Sequence, residues 1–311
     1  MFNPSGEAFA ICTLIPVQLV ERMMTMSKTL ITSREAKGLE IANFFDVVLN
    51  EAGLDQERGQ RLIENGGEFQ EGLKDLIKRF SVTNQFANEE VASGYGYLSG
   101  YKPKSVARQV KILNGLFPNL GSANKRLFGK PLPENAEGLF AIPRWECFST
   151  TYNEAVVRVL DQIKLICGGK FYNYRENQLG PKFLRQHAKT VKAFSMLGEQ
   201  QTGYEILVVA CQFGLRHRGR SVRRAREVMN SLEFGLGAFA NGCMILTHPE
   251  RLQYYDDLWI DCAGDEFSDG GVGSFGHAPC FRFYGGKVLF DSRPLGAAFG
   301  NCGSSSGLLS Q

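Results

Sequence analysis

Residues 206–213, Ile-Leu-Val-Val-Ala-Cys-Gln-Phe, form a short apolar run rich in β-branched side chains, and Gly214 ends it. Such a run reads as a buried strand. The next residues limit the fold further. Gly214-Leu-Arg-His-Arg-Gly-Arg-Ser221 leads into Val222, Ala225, Met229 and Leu232, which share one helical face. Ser221 is placed to cap that helix, because its hydroxyl can accept from a free first-turn amide. The chain is thereby committed to a strand, a loop and a helix in direct succession.

This junction also carries the densest positive charge in the chain: Arg216, His217, Arg218, Arg220, Arg223, Arg224 and Arg226. A helix N-terminus already bears partial positive charge and unpaired N–H groups, so cations there are unfavourable. The pattern calls for an anion. It could be a phosphate, a nucleic-acid backbone, or Asp and Glu from elsewhere in the fold. Gly214-x4-Gly219-Arg220-Ser221 has P-loop spacing, with arginine where lysine belongs. The bulky residues between the glycines depart from a phosphate cradle, and a forked guanidinium does not replace a point charge.

The formal net charge of the 311-residue chain is only +3, so the arginine cluster is local. A polycation that coats nucleic acid by charge alone would be more basic. None of the eight cysteines forms a Cys-x-x-Cys pair, which argues against a zinc ribbon or a disulfide framework and for free thiols in a cytoplasmic protein. Ala8 to Val20 is apolar but contains Pro16 and is too short to span a bilayer, and no positive leader precedes it. No membrane partner is expected. Residues 1–28 read as a leader outside the functional chain, with a start at Met23, Met24 or Met26.

The expected fold class is α+β, a helical N-terminal region followed by a mixed-sheet C-terminal domain. Thr32-Ser-Arg-Glu35 is a capping box that opens a first helix; Asp55 caps a second; Phe69, Leu73, Leu76, Ile77 and Phe80 mark a third. These fit a small bundle within a helical domain over residues 29–135. Tyr95, Tyr97 and Tyr101 lie among glycines ahead of Lys102-Pro-Lys104. They could stack bases, but they fit better as a loop packed on its own domain. Ser105 caps a further helix, and the α+β domain is expected over residues 138–291. There, Leu139 to Ile142 reads as a strand, Thr151 caps a helix that Gly168-Gly169 ends, and a helix is expected from Pro181. Residues 243–247 and 258–262 read as strands, and Tyr284-Gly-Gly286 as a hairpin turn. The Gly/Ser-rich residues 292–311 read as a flexible tail.

Three functions fit these residues. The leading one is recognition of a phosphate-bearing partner, RNA or DNA, through Arg216, His217, Arg218, Arg220, Ser221, Arg223, Arg224 and Arg226. The second is a metal-dependent nuclease or phosphoesterase, in which Asp261, Asp265, Glu266 and His277 would hold Mg²⁺ or Mn²⁺ and carry the catalysis. The third is a structural protein whose arginines meet carboxylates internally.

From Phe171 onward the sequence resembles an uncharacterised family of hypothetical proteins from small-genome, candidate-phylum bacteria. The carrying segments are Phe171-Tyr-Asn-Tyr-Arg-Glu176, the run from Gln212 to Glu227, Phe234-Gly-Leu-Gly-Ala-Phe239, Thr247-His-Pro-Glu-Arg-Leu252 and Ile260-Asp-Cys-Ala-Gly-Asp-Glu-Phe267. Leu62-Ile-Glu-Asn-Gly-Gly-Glu-Phe69 extends it to about Thr32. The resemblance implies a bacterial cytosolic protein and supplies no mechanism.

Overall fold

The computed structural model describes residues 35–80 and 84–309. The expected leader, and most of the Thr32–Glu35 capping box, lie outside them. The fold is α+β, with helices mainly in the N-terminal half and sheets in the C-terminal half. The described residues fall into two compact units, one up to Gln70 and one from Glu71 onward.

The first unit holds α1 (Ala36–Glu51), α2 (Gln56–Glu64) and the start of α3 (Gly66–Phe80). The Asp55 carboxylate caps α2, accepting from the Arg58 amide at 2.8 Å. The rings of Phe45 and Phe69 meet with centroids 6.1 Å apart. In α1, however, Gly38 is the buried residue, and Leu39, Ile41, Phe44 and Val48 are exposed.

The second unit has two sheets. β1 (Gly138–Pro143), β4 (Ile206–Gln212), β11 (Ser306–Leu308) and β5 (Glu233–Gly235) form an antiparallel sheet in the order β1-β4-β11-β5. Every residue of β4 is buried, as its unbroken apolar run requires. The second sheet holds β10 (Cys302–Ser304), β6 (Trp259–Asp261), β8 (His277–Tyr284), β7 (Asp265–Phe267) and β3 (Leu184–Gln186) in that order. β9 (Lys287–Pro294) pairs with β8 and with β2 (Phe171–Asn173). The β8–β9 turn is Gly285-Gly286, with φ of 59° and 75°, a backbone region that glycine enters without steric cost.

The helices α4 (Val106–Leu116), α5 (Tyr152–Ile166), α6 (Ala188–Gln200), α7 (Val222–Val228) and α8 (Ala238–Thr247) complete this unit. All ten residues of α8 are buried, and it packs against α5, α4 and β1. A side chain at Gly242 would run into Val159 of α5, so the glycine sets how closely these two helices approach.

Several sequence expectations are corrected. Residues 243–247 are not a strand but the second half of α8, whose apolar residues face the core on every side and so show no helical period. The helix expected from Pro181 begins at Ala188, because Leu184–Gln186 pairs with β7. The boundary expected near residue 136 falls at Gln70–Glu71 instead. Val106, Leu113, Leu120 and Ala123 belong to the same core as β4 and α8. The expected tail supplies β10 and β11, and residues 302–308 are buried. Its small residues are core residues: a side chain at Gly307 would meet the Phe234 ring at 2.5 Å.

Candidate functional site

The arginine-rich junction has the local form its sequence implies. β4 leads through a 3-10 turn (Leu215–His217) into α7, and the Ser221 hydroxyl accepts from the Arg224 amide at 3.1 Å. The anion it needs comes from within the chain. The segment Ala87–Glu89 is a 3-10 turn followed by Glu90, and it runs beside the loop, with the Val91 amide donating to the Gly219 carbonyl at 2.8 Å. The Glu89 carboxylate accepts from Ser221 Oγ at 2.6 Å and from both Nε and Nη2 of Arg223. Glu90 takes Arg224 Nε at 2.5 Å and Arg220 Nε at 3.3 Å. Arg224 also meets Glu227 at 2.9 Å.

The other side of the cluster converges on Glu233, which is fully buried. Its carboxylate is met by Arg216 Nε at 3.0 Å, His217 Nε2 at 2.8 Å and Ser306 Oγ at 2.6 Å. Burial alone would raise its pKa. The bonds to His217 and Ser306 and the Arg216 charge outweigh burial and bring it down to about 2. His217, also buried, is shifted downward by its own desolvation and by the charges of Arg220 and Arg216. Arg226 turns to carbonyl oxygens, Ala263 at 2.8 Å and Asp265 at 2.7 Å, with the Glu266 carboxylate at 4.0 Å. Arg218 and Arg223 are the exposed members of the cluster, and Arg218 Nη1 donates to the Tyr95 carbonyl at 3.1 Å.

The loop is not a phosphate cradle. The amides of Gly214, His217, Arg218, Gly219, Arg220 and Ser221 all donate to acceptors within the chain. Gly219 faces the Val91 carbonyl, and a side chain at Gly214 would meet the Gly303 carbonyl at 2.7 Å. The glycines admit the close approach of the chain's own backbone at Val91 and Gly303. Tyr97 and Tyr101 are likewise turned inward. Tyr101 is buried, and the Tyr97 ring lies under the Arg251 guanidinium, 3.8 Å from its centroid.

The acidic candidates are dispersed. Asp261 is buried against Arg293 at 3.4 Å, Glu266 meets Arg185 at 2.7 Å, and His277 opens β8 opposite Phe267. Among the described residues no three His, Cys, Asp or Glu side chains are grouped so as to hold a metal ion. Asp265 has a different role. It is buried at the start of α8, accepting from the Ala238 amide at 2.7 Å and from the Tyr152 hydroxyl at 2.8 Å. Burial raises its pKa to about 7 against those two hydrogen bonds and the Arg226 charge. It gives a first-turn amide of α8 the acceptor that a buried helix N-terminus otherwise lacks.

Tyr152 also forms part of the wall of a cleft of about 720 Å³, a size that suits a small ligand. The cleft lies where β1 ends and β4 begins, between α6 and the first turns of α5 and α8. Its walls include Trp145, Tyr152, Phe194 and Phe239. The Trp145 and Tyr152 rings stand at 90° with centroids 6.2 Å apart. Arg144 is held at the rim by carbonyls at the end of α6 and beyond: Nε donates to Tyr204 at 2.9 Å, and Nη2 to Gly198 at 2.7 Å and Gln201 at 3.2 Å. Close approach at Gly198 makes this possible, since a side chain there would meet Arg144 Nη1 at 2.5 Å.

No family model, no curated protein and no solved structure matches the chain. Sequence reasoning missed both the carboxylates that neutralise the arginines and the cleft. Glu89-Glu90 is an adjacent acid pair one short segment before the tyrosines, and that was the available signal for the first. The cleft residues come from positions 143 to 240 with no shared spacing, so nothing local marks them.

Proposed function

We propose that this protein binds a small, largely apolar molecule in the cleft beside Trp145 and Tyr152, and that its arginine cluster is structural. A single observation carries the reading: an aromatic-walled cleft of about 720 Å³ opens at the start of α8, next to the desolvated Asp265–Tyr152 pair. Concave apolar sites with a few fixed polar groups and a perturbed carboxyl nearby are where small ligands bind. Recognition of a nucleic-acid phosphate draws less support. Arg216, Arg220, Arg223 and Arg224 each lie within 3.3 Å of a carboxylate, so binding a phosphate would require breaking existing ion pairs. The metal-dependent nuclease reading has no convergent set of acids among the described residues on which to rest.

The chain's two tryptophans give a direct test. Trp145 lines the cleft, whereas Trp259 lies elsewhere, beneath the Arg282 guanidinium at 4.8 Å. Titration with small benzene derivatives should shift the Trp145 indole N–H resonance saturably and leave that of Trp259 in place. Ser195→Phe, on the exposed wall of α6, should block the response without lowering Tm. Absence of a Trp145 response to neutral, cationic and anionic probes alike would refute the reading.

A further inference from the structure

Resting on the cleft as a ligand site, we infer that its ligand is an organic cation, an ammonium group carried on an apolar body. Two independent features of the wall converge on this chemistry. The first is the pair of perpendicular rings. Trp145 and Tyr152 meet edge to face, and Phe194 and Phe239 line the same space. Aromatic faces carry negative electrostatic potential, and rings set at right angles form the corner that holds a quaternary or tertiary ammonium.

The second feature is charge. Glu146, Glu199 and Glu205 line the cleft, and Arg144 is the lining cation, so the wall is net negative by two charges. Arg144 is already committed to the three carbonyls of Gly198, Gln201 and Tyr204. Among the described residues, none of the three glutamates forms an ion pair within 4.0 Å. Glu205 accepts from the Ser122 amide at 2.9 Å, and Glu199 from Ser195 Oγ at 3.3 Å. Unpaired carboxylates around apolar walls attract a cation, repel a carboxylate or phosphate ligand, and add little for a neutral one. The ammonium would sit in the Trp145–Tyr152 corner, and its apolar body would lie against Phe194, Val191 and Leu207.

Phenyltrimethylammonium and tert-butylbenzene have nearly the same shape and differ in charge; benzoate supplies the anion. Calorimetry on the full chain should give the cation at least a ~10-fold lower Kd than tert-butylbenzene, with benzoate weakest. Trp145→Leu keeps the wall apolar and removes the indole face, so it should largely erase the cation's advantage while tert-butylbenzene still binds. Replacing two of the three exposed acids together, Glu146→Gln and Glu199→Gln, should weaken the cation several-fold and leave tert-butylbenzene unchanged. If tert-butylbenzene or benzoate binds the wild-type chain as tightly as the cation does, the cation assignment fails and the cleft stands as a site of another class. If none of the three binds, the cleft itself is not a ligand site.

Discussion

Glu233 is a buried carboxylate shared by Arg216, His217 and Ser306, and this side of the arginine-rich junction depends on that one negative charge. Removing one member of a buried, hydrogen-bonded charge network leaves the rest desolvated and unpaired, which costs about 3–5 kcal/mol. Glu233→Ala should therefore lower the urea-unfolding free energy by about that amount, whereas Arg218→Ala, at an exposed carbonyl contact, should change it by less than about 0.5 kcal/mol. Asp265 sets a pH dependence of the opposite kind from an ordinary paired acid. Its ordinary value is 3.8 and in the fold it rises to about 7. Between those values the folded chain holds a proton that the unfolded chain has released, so this group's contribution to stability is full below pH 3.8 and fades as pH rises towards 7. Asp265→Asn keeps a hydrogen-bonding group at the start of α8 and removes the titration. Stability measured across about pH 4 to 7 should lose a downward slope present in the wild type; an identical slope in both proteins would count against this account of Asp265. The capping residues Asp55, Thr151 and Ser221 were legible from sequence, because a cap and its amide lie within three residues of each other. Glu89 and Glu233 were not, because they reach their arginines by tertiary contact, and Glu89 does so from more than 130 residues away.

At the scale of elements, β11 shows how far composition can mislead. Ser304, Ser305, Ser306 and Gly307 read as flexible tail because they supply no apolar pattern, yet β11 lies between β4 and β5 and is hydrogen-bonded to both. A central position packed tightly on both faces favours small side chains, and the Phe234 ring covers Gly307. The Gln212 amide donates to Ser304 O and Ser306 Oγ, tying this segment to the end of β4. Truncation after Pro294 would remove β10 and β11, leave β4 and β5 without a shared neighbour, and take Ser306 from Glu233. The shortened chain should lose its cooperative thermal transition; a retained transition within a few degrees of the full-length Tm would contradict this placement. α8 was misread for a related reason. A helix buried on all sides has no polar face, and over five residues an apolar run carries no period to separate it from a strand. The β8–β9 hairpin was legible, since Gly285-Gly286 between apolar alternations is a local signal.

At the scale of the molecule, charge is distributed inward. The net charge is +3, and the arginines that make the junction basic are drawn onto Glu89, Glu90, Glu227 and Glu233. The glutamates lining the cleft, by contrast, form no ion pair within 4.0 Å among the described residues. The sequence located the strongest cationic cluster correctly and showed that something negative must complete it. Whether that negative group lay inside or outside the chain depended on where residues 87–90 fold, which no spacing rule states. The α+β class and the strands β1, β4, β6, β8 and β9 followed from periodicity and turn signals, whereas the cleft followed from how the end of β1, α6 and the first turns of α5 and α8 come together. The measurement that bears most directly on this division is a ¹H–¹⁵N spectrum resolving the Trp145 indole and the Nε–H groups of Arg216, Arg223 and Arg224. It would be recorded at low salt, first with phenyltrimethylammonium and then with a short oligonucleotide. The expected result is a saturable shift at Trp145 with the cation and unmoved arginine resonances with the oligonucleotide; arginine resonances that follow the oligonucleotide while Trp145 stays silent would contradict it.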